Sequence, residues 1–405
     1  MHQIPKVALL LKLSEFVSEK ILAGIKDFVG PDGRWTLVLE MGSCGPEWLT
    51  SSRWDGIIYF PLYPKISPLI KSTRTPAVIL YGLSNGFKLP WVDVDNAAIG
   101  SMGALHLLER GFRHFGFCGF SDCKWSRLRA DSFQATVEQK GFSVSIHQST
   151  LKAGGSDWND RINEIAQWIE GLPKPIAIMA CNDHRGMNVI EACDRAGFKI
   201  PKDVAILGAD DEMRCQYSNP PLSSIKMSPE RMGYQAAKLL DALMKGEPAP
   251  TQGILVPPVG VVTRQSTDTS ATADWLITEA TRFIRQNALR GCKVSDVQKH
   301  LRVGRTTLKA HFQKALNRSP QAEIHRTRVE RIKSLLSNKD LTLAQIAEET
   351  GFEHPEYLGI FFKRETGMAP SEYRKHVLKF DKEPDASITG LKKRVHPGKL
   401  GEHFG

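Results

Sequence analysis

The sequence predicts a two-lobed α/β body, with parallel sheets covered by helices on both faces, followed by an all-α domain built from a duplicated helix-turn-helix. Three observations carry this prediction. From residue 6 to about 260, short apolar runs alternate with segments of helical period. Near the C-terminus one segment is written nearly twice, once over 294–320 and again over 343–370. Positive charge gathers around that duplication. Residues 271–380 hold about 20 Lys and Arg against about 12 Asp and Glu, whereas the rest of the chain is nearly balanced.

In the body, strands are expected at Val7–Leu11, Trp35–Leu39, Gly56–Tyr59, Ala77–Leu80, Phe115–Cys118, Val144–His147, Ile176–Ala180, Val204–Leu207 and Ile254–Val256. Several are continuous apolar runs, as strands buried on both faces require. Helices are expected at Ala98–Arg110, Trp158–Ile169, Met187–Ala196 and Met232–Met244, where apolar residues recur at helical spacing. Gly111, Gly141 and Gly197 stand just past helices, where positive φ ends a helix at little cost. About 255 residues allow two such lobes. The stretch from Thr263 to Asp274 is rich in Thr and Ser and poor in apolar residues, and it reads as a linker. The body is therefore set at 1–265, the linker at 266–274 and the helical domain at 275–380. Residues 381–405 lack apolar periodicity and read as a disordered tail, whose Lys392-Lys393-Arg394 cluster is either a phosphate contact or a solvated charge run.

Composition narrows the function. An apolar fraction of 41% and a charged fraction of 24% are those of a soluble globular protein. The apolar start is broken by Lys12 and lacks a cleavage site, and no run approaches the roughly 18 apolar residues of a membrane span. The 7 cysteines have no paired or zinc-ligand spacing, which favours reduced thiols in the cytoplasm. No phosphate-binding loop, nucleophile elbow or metalloprotease motif is present, and His106, His114 and His184 stand alone. The sequence therefore argues against an enzyme and calls for no cofactor or metal.

Each copy of the repeat reads as a short helix, a turn and a second amphipathic helix, the pattern whose second helix enters the major groove of DNA. In the first copy Leu301 and Val303 precede the turn, Gly304 stands at the N-cap, and Leu308 and Phe312 face inward. Arg305, Thr306, Lys309 and Ala310 are left outward, and Arg305 and Lys309 are the residue types that read guanine. In the second copy Leu343, Ile346 and Ala347 share a face, Gly351-Phe352 makes the turn, and Pro355 opens the next helix. Leu358, Phe361 and Phe362 point inward; Glu356, Tyr357, Gly359 and Ile360 point outward, with Lys363 and Arg364 beyond. Phosphate contacts are expected from Lys314, Arg318, Lys363, Arg364, Arg374 and Lys375, the alternative for each being a solvated face. A helix over Gln321–Ser337 joins the copies, with Ile324, Val329, Ile332, Leu335 and Leu336 as its stripe. Its length of about 25 Å, plus the width of the bundle, suits reading helices in successive major grooves ~34 Å apart.

Residues 275–376 resemble the double helix-turn-helix domain of the AraC/XylS family. Ile346, Ala347, Gly351, Phe352, Phe362, Lys363, Gly367, Pro370, Tyr373 and Arg374 fall at the family's signature places. The first copy departs from the pattern: Gln298 replaces a small Ala, Gly304 sits where a Ser cap is common, and Asn317 replaces a Gly. The body resembles the sugar-sensing core of the LacI/GalR family, a periplasmic-binding-protein-like sensor. The matching segments are Val92–Gly119, Cys181–Asp211, Asn219–Ile225, Arg231–Leu240 and the closing Arg264-Gln265-Ser266. That family's N-terminal DNA-binding headpiece is not expected, because the first strand starts near residue 6.

These resemblances imply a cytoplasmic transcription regulator, an activator and homodimer, with double-stranded DNA, a sugar effector and RNA polymerase as partners. They place a monosaccharide, a pentose such as xylose first, between the lobes. Arg129 and Asp210 match ligand-binding positions, as do Asn182 and Asp183 after the preceding strand; Asp95 matches a further polar position, and Ser14 and Glu15 follow the first strand. The alternative role for each is a loop or helix-capping residue, most plainly for Asp183, since Asp is a common N-cap. A solute-binding protein without a transcription role is the alternative function.

Overall fold

The structure is a computed structural model. It describes residues 4–11, 15–31, 33–40, 49, 52–60, 66–82, 89–151, 157–268, 274–336 and 341–378.

The first lobe is laid down by β1 (Lys6–Leu10), α1 (Glu15–Val29), β2 (Thr36–Glu40), β3 (Gly56–Tyr59), α2 (Ile66–Thr73), β4 (Ala77–Leu80) and β5 (Trp91–Val94). The chain then crosses into the second lobe. That lobe holds α3 (Asn96–Leu108), β6 (Phe115–Phe120), α4 (Lys124–Glu138), β7 (Val144–Ser149), α5 (Trp158–Glu170), β8 (Ile176–Ala180), α6 (Asp183–Arg195), β9 (Val204–Asp210) and β10 (Ser223–Lys226). It returns to the first lobe for α7 (Pro229–Met244), which packs on α1, β3, β4 and β5, and for β11 (Ile254–Val256). A last crossing leads to β12 (Gly260–Val262). The first sheet runs β11-β5-β4-β3-β1-β2 and is parallel throughout; the second runs β12-β10-β9-β8-β6-β7, with only β12 antiparallel. In each sheet the strand order reverses beside its first strand, which opens a crevice at the C-terminal strand ends. The crossings brace one another: Asp95 N–H donates to the Val256 carbonyl and Val259 N–H to that of Lys226, both at 2.8 Å.

Gly56–Tyr59, Ala77–Leu80, Ile176–Ala180 and Ile254–Val256 form strands with the bounds the apolar runs predict, and Gly111, Gly141 and Gly197 have φ of 79°, 83° and 73°. Three strands escape the sequence reading, and their polar residues explain why. In β5, Asp93 is buried, with Oδ1 accepting from Val94 N–H at 2.7 Å. In β10, Ser223 and Ser224 are fully buried and hydrogen-bonded, so they sit in the core without an apolar signature. Strand β12 has only three residues.

The expected linker begins later than composition suggests. Ser266 and Thr267 are fully buried: Ser266 Oγ donates to the Ile206 carbonyl at 2.6 Å, and Thr267 Oγ1 donates to Ser223 Oγ at 2.7 Å. The α/β body thus extends through these residues; 269–273 lie outside the described residues, as does the tail from 379 onward.

The helical domain comprises α8 (Trp275–Asn287), α9 (Val294–Leu301), α10 (Arg305–Leu316), α11 (Pro320–Leu336), α12 (Leu343–Glu349), α13 (Pro355–Thr366) and α14 (Pro370–Leu378). It has two cores. Leu276, Ile277, Ile284, Val297, Leu308, Phe312 and Leu316 form one, with Ile324 from α11. Ile346, Ala347, Leu358, Phe361 and Phe362 form the other, with Ile332, Leu335 and Leu336 from the same helix. The joining helix therefore belongs to both. At Gly351, φ is +73° and a Cβ would lie 2.0 Å from the Leu289 carbonyl oxygen, so the turn of the second copy requires glycine. At the end of α10, Asn317 takes the left-handed cap with φ 50°, a conformation Asn tolerates well among non-glycine residues.

Candidate functional site: the interlobe cleft and the two reading helices

At the C-terminal strand ends of the second lobe, Arg129 of α4 is almost fully buried. Its Nε donates to Asn96 Oδ1 at 2.9 Å, and its Nη1 donates to the Cys181 carbonyl at 2.5 Å and reaches Asp210 Oδ1 at 3.4 Å. The guanidinium also lies 5.1 Å from the Trp125 ring centroid. Close helix packing sets this position, since a Cβ on Gly100 of α3 would meet the Arg129 carbonyl oxygen at 2.3 Å. Asp210 is partly exposed, and its backbone is unusual: Asp210 has φ 114° and Asp211 φ 54°. Strained backbone of this kind persists only where neighbours over-determine it. Here Arg264 Nη2 holds Asp211 Oδ1 at 2.7 Å, and Asp211 N–H donates to Ser224 Oγ at 3.0 Å.

The other expected cleft residues divide. Asn182 is the N-cap of α6, its Oδ1 accepting from Arg185 N–H at 2.9 Å. Asp183 is not the cap and is fully buried; Ser224 Oγ donates to its Oδ1 at 2.5 Å and Glu212 N–H to its Oδ2 at 2.8 Å. With both oxygens spent inside the lobe, Asp183 shapes the Asp210–Glu212 turn from behind. Asp95 is half-buried and caps α3, accepting from Ala98 N–H at 2.9 Å. Ser14, and the side chain of Glu15 at the start of α1, lie outside the described residues.

Besides Trp125, the residues Asn96, Tyr81 and Arg185 belong to this neighbourhood without a signal of their own in the sequence. Asn96 follows Asp95 directly and was within reach of it. Tyr81, just past β4, has φ 55° and stacks edge-on to Phe60 at 5.6 Å. Burial raises its phenol pKa, and the negative charges of Asp210 and Asp93 push it further. Arg185 is buried, with Nη2 donating to the Gly119 carbonyl at 3.1 Å and to Ser149 Oγ, and its guanidinium 4.5 Å from the Phe120 ring centroid. It ties the ends of β6 and β7 to α6. Only its place one residue after the Asn182–His184 stretch hinted at this.

Burial pushes the Asp183 carboxyl up to about 7, with the nearby Asp210 charge adding to the shift. Burial likewise raises Asp210, to about 6, against the opposing pull of Arg129. A raised folded-state pKa means that the native protein binds protons the unfolded chain does not, from about pH 7 down to about 4. The pair's contribution to stability therefore grows as pH falls through that window. Burial lowers the pKa values of His106, His147 and His184 in the same body, which pulls stability the other way as pH falls. The difference between parent and variant is therefore the readout: on going from pH 7.5 to pH 5.5 the urea midpoint of the parent should gain on that of Asp183→Asn. A parent midpoint that falls across the same interval in step with the variant would contradict this assignment.

In the helical domain Arg305, Thr306, Lys309 and Ala310 of α10 are all exposed, as are Glu356, Tyr357, Ile360, Lys363 and Arg364 of α13. Tyr357 and Ile360 are 57% and 65% exposed, a level of apolar exposure unusual for two neighbours on one helix face. Arg364 is engaged by Glu365, with Nη2 at 2.8 Å and Nε at 2.9 Å from Oε1. Arg318, expected at phosphate, instead turns into the domain junction, donating to Glu323 at 2.6 Å and to the Glu109 carbonyl at 2.8 Å. Arg374 is likewise turned inward, with Nε and Nη2 buried.

Residues 104–267 match a periplasmic binding protein-like domain and residues 297–376 a helix-turn-helix domain. The chain is similar to the xylose operon regulatory protein of Haemophilus influenzae, with 28% identity over 383 residues, covering 92% of this chain and 99% of that protein. The xylose operon regulatory protein of Escherichia coli strain K12 is 27% identical, with 91% and 96% covered. The solved structure of the xylose-binding transcription activator xylR superposes with a TM-score of 0.59 at 27% identity, covering 93% of this chain and 99% of that one. The chain is a homologue of the xylose operon regulators. Like those regulators it joins a periplasmic-binding-protein-like body to an AraC-type helix-turn-helix domain, and it is a transcription regulator rather than an enzyme. The likeness runs through both domains, which sets aside a solute-binding protein without a transcription role. Among the described residues, no helix of this xylose-regulator homologue is long and apolar enough to cross a membrane.

Proposed function

We propose that this regulator is a cytoplasmic, homodimeric activator that closes its lobes on a monosaccharide, a pentose such as D-xylose, and thereby sets the placement of its DNA-reading helices before RNA polymerase. The observation that carries the sugar reading is Arg129, pinned by Asn96 and the Cys181 carbonyl with Asp210 beside it at the strand ends. A fixed guanidinium donor next to a carboxylate acceptor is suited to vicinal hydroxyls, and Trp125, Phe60 and Tyr81 supply ring faces and edges for the apolar side of a sugar. Asn182 and Asp95 serve as further polar contacts or as the helix caps the structure makes them, Ser14 and Glu15 are proposed from sequence, and Asp183, with both oxygens engaged inside the lobe, supports the Asp210 turn rather than touching the sugar. The relatives named for xylose share both domains with this chain. A ligand drives the change only through its differential affinity for the open and closed arrangements. Isothermal titration against a monosaccharide panel should give heat with a pentose. A panel in which only hexoses, or no sugar, bind would overturn the pentose assignment.

On DNA, Arg305 and Lys309 are proposed as guanine readers, with Thr306 and Ala310 beside them. Tyr357 and Ile360 are proposed to lie against thymine methyls, with Glu356 accepting from cytosine and Lys363 and Arg364 at phosphates. Arg305→Ala or Lys309→Ala should cost about 1–3 kcal/mol on the cognate site and relax sequence preference. Lys363→Ala should weaken all sequences alike and lower the salt slope by about one. Mobility shifts on cognate and scrambled fragments distinguish these outcomes. Parent-like discrimination in both first-copy variants would remove them from the base edges.

A further inference from the structure

The helical domain meets the α/β body at the far end of α3, the helix that begins in the cleft. The first residue of α3, Asn96, is the acceptor for Arg129. Its 13 residues span about 20 Å. At its last turn His106 Nε2 pairs with Thr267 Oγ1 at 3.0 Å, and the buried Arg110 donates to the Thr267 carbonyl at 2.9 Å and to Thr263 Oγ1 at 3.2 Å. Gly103 lies against β8, with a Cβ there only 2.4 Å from Met179 Sδ, so α3 packs tightly on its sheet.

A hydrogen bond and an ion pair reach this end from the helical domain. Arg318 Nη2 donates to the carbonyl oxygen of Glu109, the C-cap of α3, at 2.8 Å. A cation there satisfies an orphan carbonyl and faces the negative pole of the helix. Arg285 Nη1 holds Asp268 Oδ1 at 2.8 Å, one residue past the buried Thr267. Arg318 is itself aimed by Glu323, which is fully buried and binds Arg318 Nε at 2.6 Å and Arg326 Nη2 at 2.7 Å. Burial alone would raise the Glu323 carboxyl, but Arg326 and Arg318 hold it down at about 2, so it stays ionised.

We propose that Arg318 is a positioning residue for DNA binding: it locks the reading domain onto the C-terminal end of α3, so that displacement of α3 at its Asn96–Arg129 contact is carried into the orientation of the reading helices. The coupling half of this inference rests on the sugar-sensor reading above; the locking half does not. Arg318 lies between the end of α10 and the start of α11, so its hold acts on the first reading helix directly and on the second through the helix shared by both cores.

The test uses the full chain, with Arg318→Ala, Arg318→Lys and Arg285→Ala. Small-angle X-ray scattering reads the lock without any ligand. Arg318→Ala and Arg285→Ala should increase the maximum dimension, as should raising NaCl in the parent, with Arg318→Lys intermediate. Mobility shifts on the gene's own upstream DNA, with and without D-xylose, read the coupling. Arg318→Ala should bind D-xylose as the parent does and keep the parent salt slope. It should shrink the sugar-dependent change in DNA affinity to within about twofold of unity. If Arg318→Ala instead lowers affinity alike in both conditions, with the salt slope reduced by about one, Arg318 is a phosphate ligand and the proposal fails. Scattering profiles identical to the parent's would also overturn it. A parent that does not respond to D-xylose would count against the sugar reading alone, and scattering would still decide the lock.

Discussion

Arg129→Ala is expected to lower pentose affinity by about 30- to 1,000-fold, the equivalent of about 2–4 kcal/mol, while DNA binding without sugar stays close to the parent's. The size follows from what the side chain does before a ligand arrives. Its Nε and Nη1 are committed to Asn96 and the Cys181 carbonyl, so the guanidinium is held in place and little rotamer entropy is lost on binding. Removing it also leaves the Asn96 and Cys181 oxygens without their donor and the partly buried Asp210 without its cation. Arg129→Lys should recover only part of the affinity, because one ammonium cannot reproduce the guanidinium fork. Titration calorimetry with D-xylose measures the loss, and far-ultraviolet circular dichroism with a urea midpoint checks that the variant stays folded. A variant that stays folded and binds the pentose within threefold of the parent would remove Arg129 from the site.

Where a local signal and a tertiary role coincide, the sequence was legible. The strands Gly56–Tyr59 and Ile176–Ala180 are apolar because both faces of a parallel sheet are covered, and their bounds follow from that. Pro355 opens α13 and Gly351 takes positive φ because backbone sterics leave few other solutions. What escaped was polar material placed in the interior by partners far along the chain. Ser223 and Ser224 belong to a core strand because Arg264 and Asp183 receive them, 41 residues away in each case. Thr267 looked like linker composition, and His106 and Ser223 bury it. The cleft was half legible. Arg129 and Asp210 were named and lie together, whereas Tyr81 owes its place to a left-handed backbone that no residue type announces. Basic residues cluster around the repeat and mark Arg318 as a DNA cation, but Glu323 and the carbonyl of Glu109, 209 residues earlier in the chain, give it another task.

The duplication itself predicts the second large effect. Phe362→Ala should destabilise the second half of the helical domain by about 3–5 kcal/mol and reduce specific DNA affinity at least a hundredfold, with pentose binding unchanged. Phe362 is fully buried and packs edge-on to Tyr373 at 5.3 Å, in a core completed by Ile332, Leu335 and Leu336 of α11. A core of this size cannot refill the space of a lost ring, so both transfer energy and cavity cost are forfeited. Against a total stability of about 5–15 kcal/mol for an ordinary domain, that is a large fraction. The damage should spread unequally. Ile324 sits in the first core and Ile332 in the second, so α11 passes strain from one copy to the other, while Leu308, Phe312 and Leu316 keep the first copy's own packing. Phe362→Leu, which keeps most of the volume, should cost under half as much. Urea unfolding followed by hydrogen exchange over α9–α10 and α12–α13 separates the copies. If Phe362→Ala loses protection equally in both, the two helix-turn-helices fold as one cooperative unit; if it loses none and binds DNA as the parent does, Phe362 is not the anchor of the second copy.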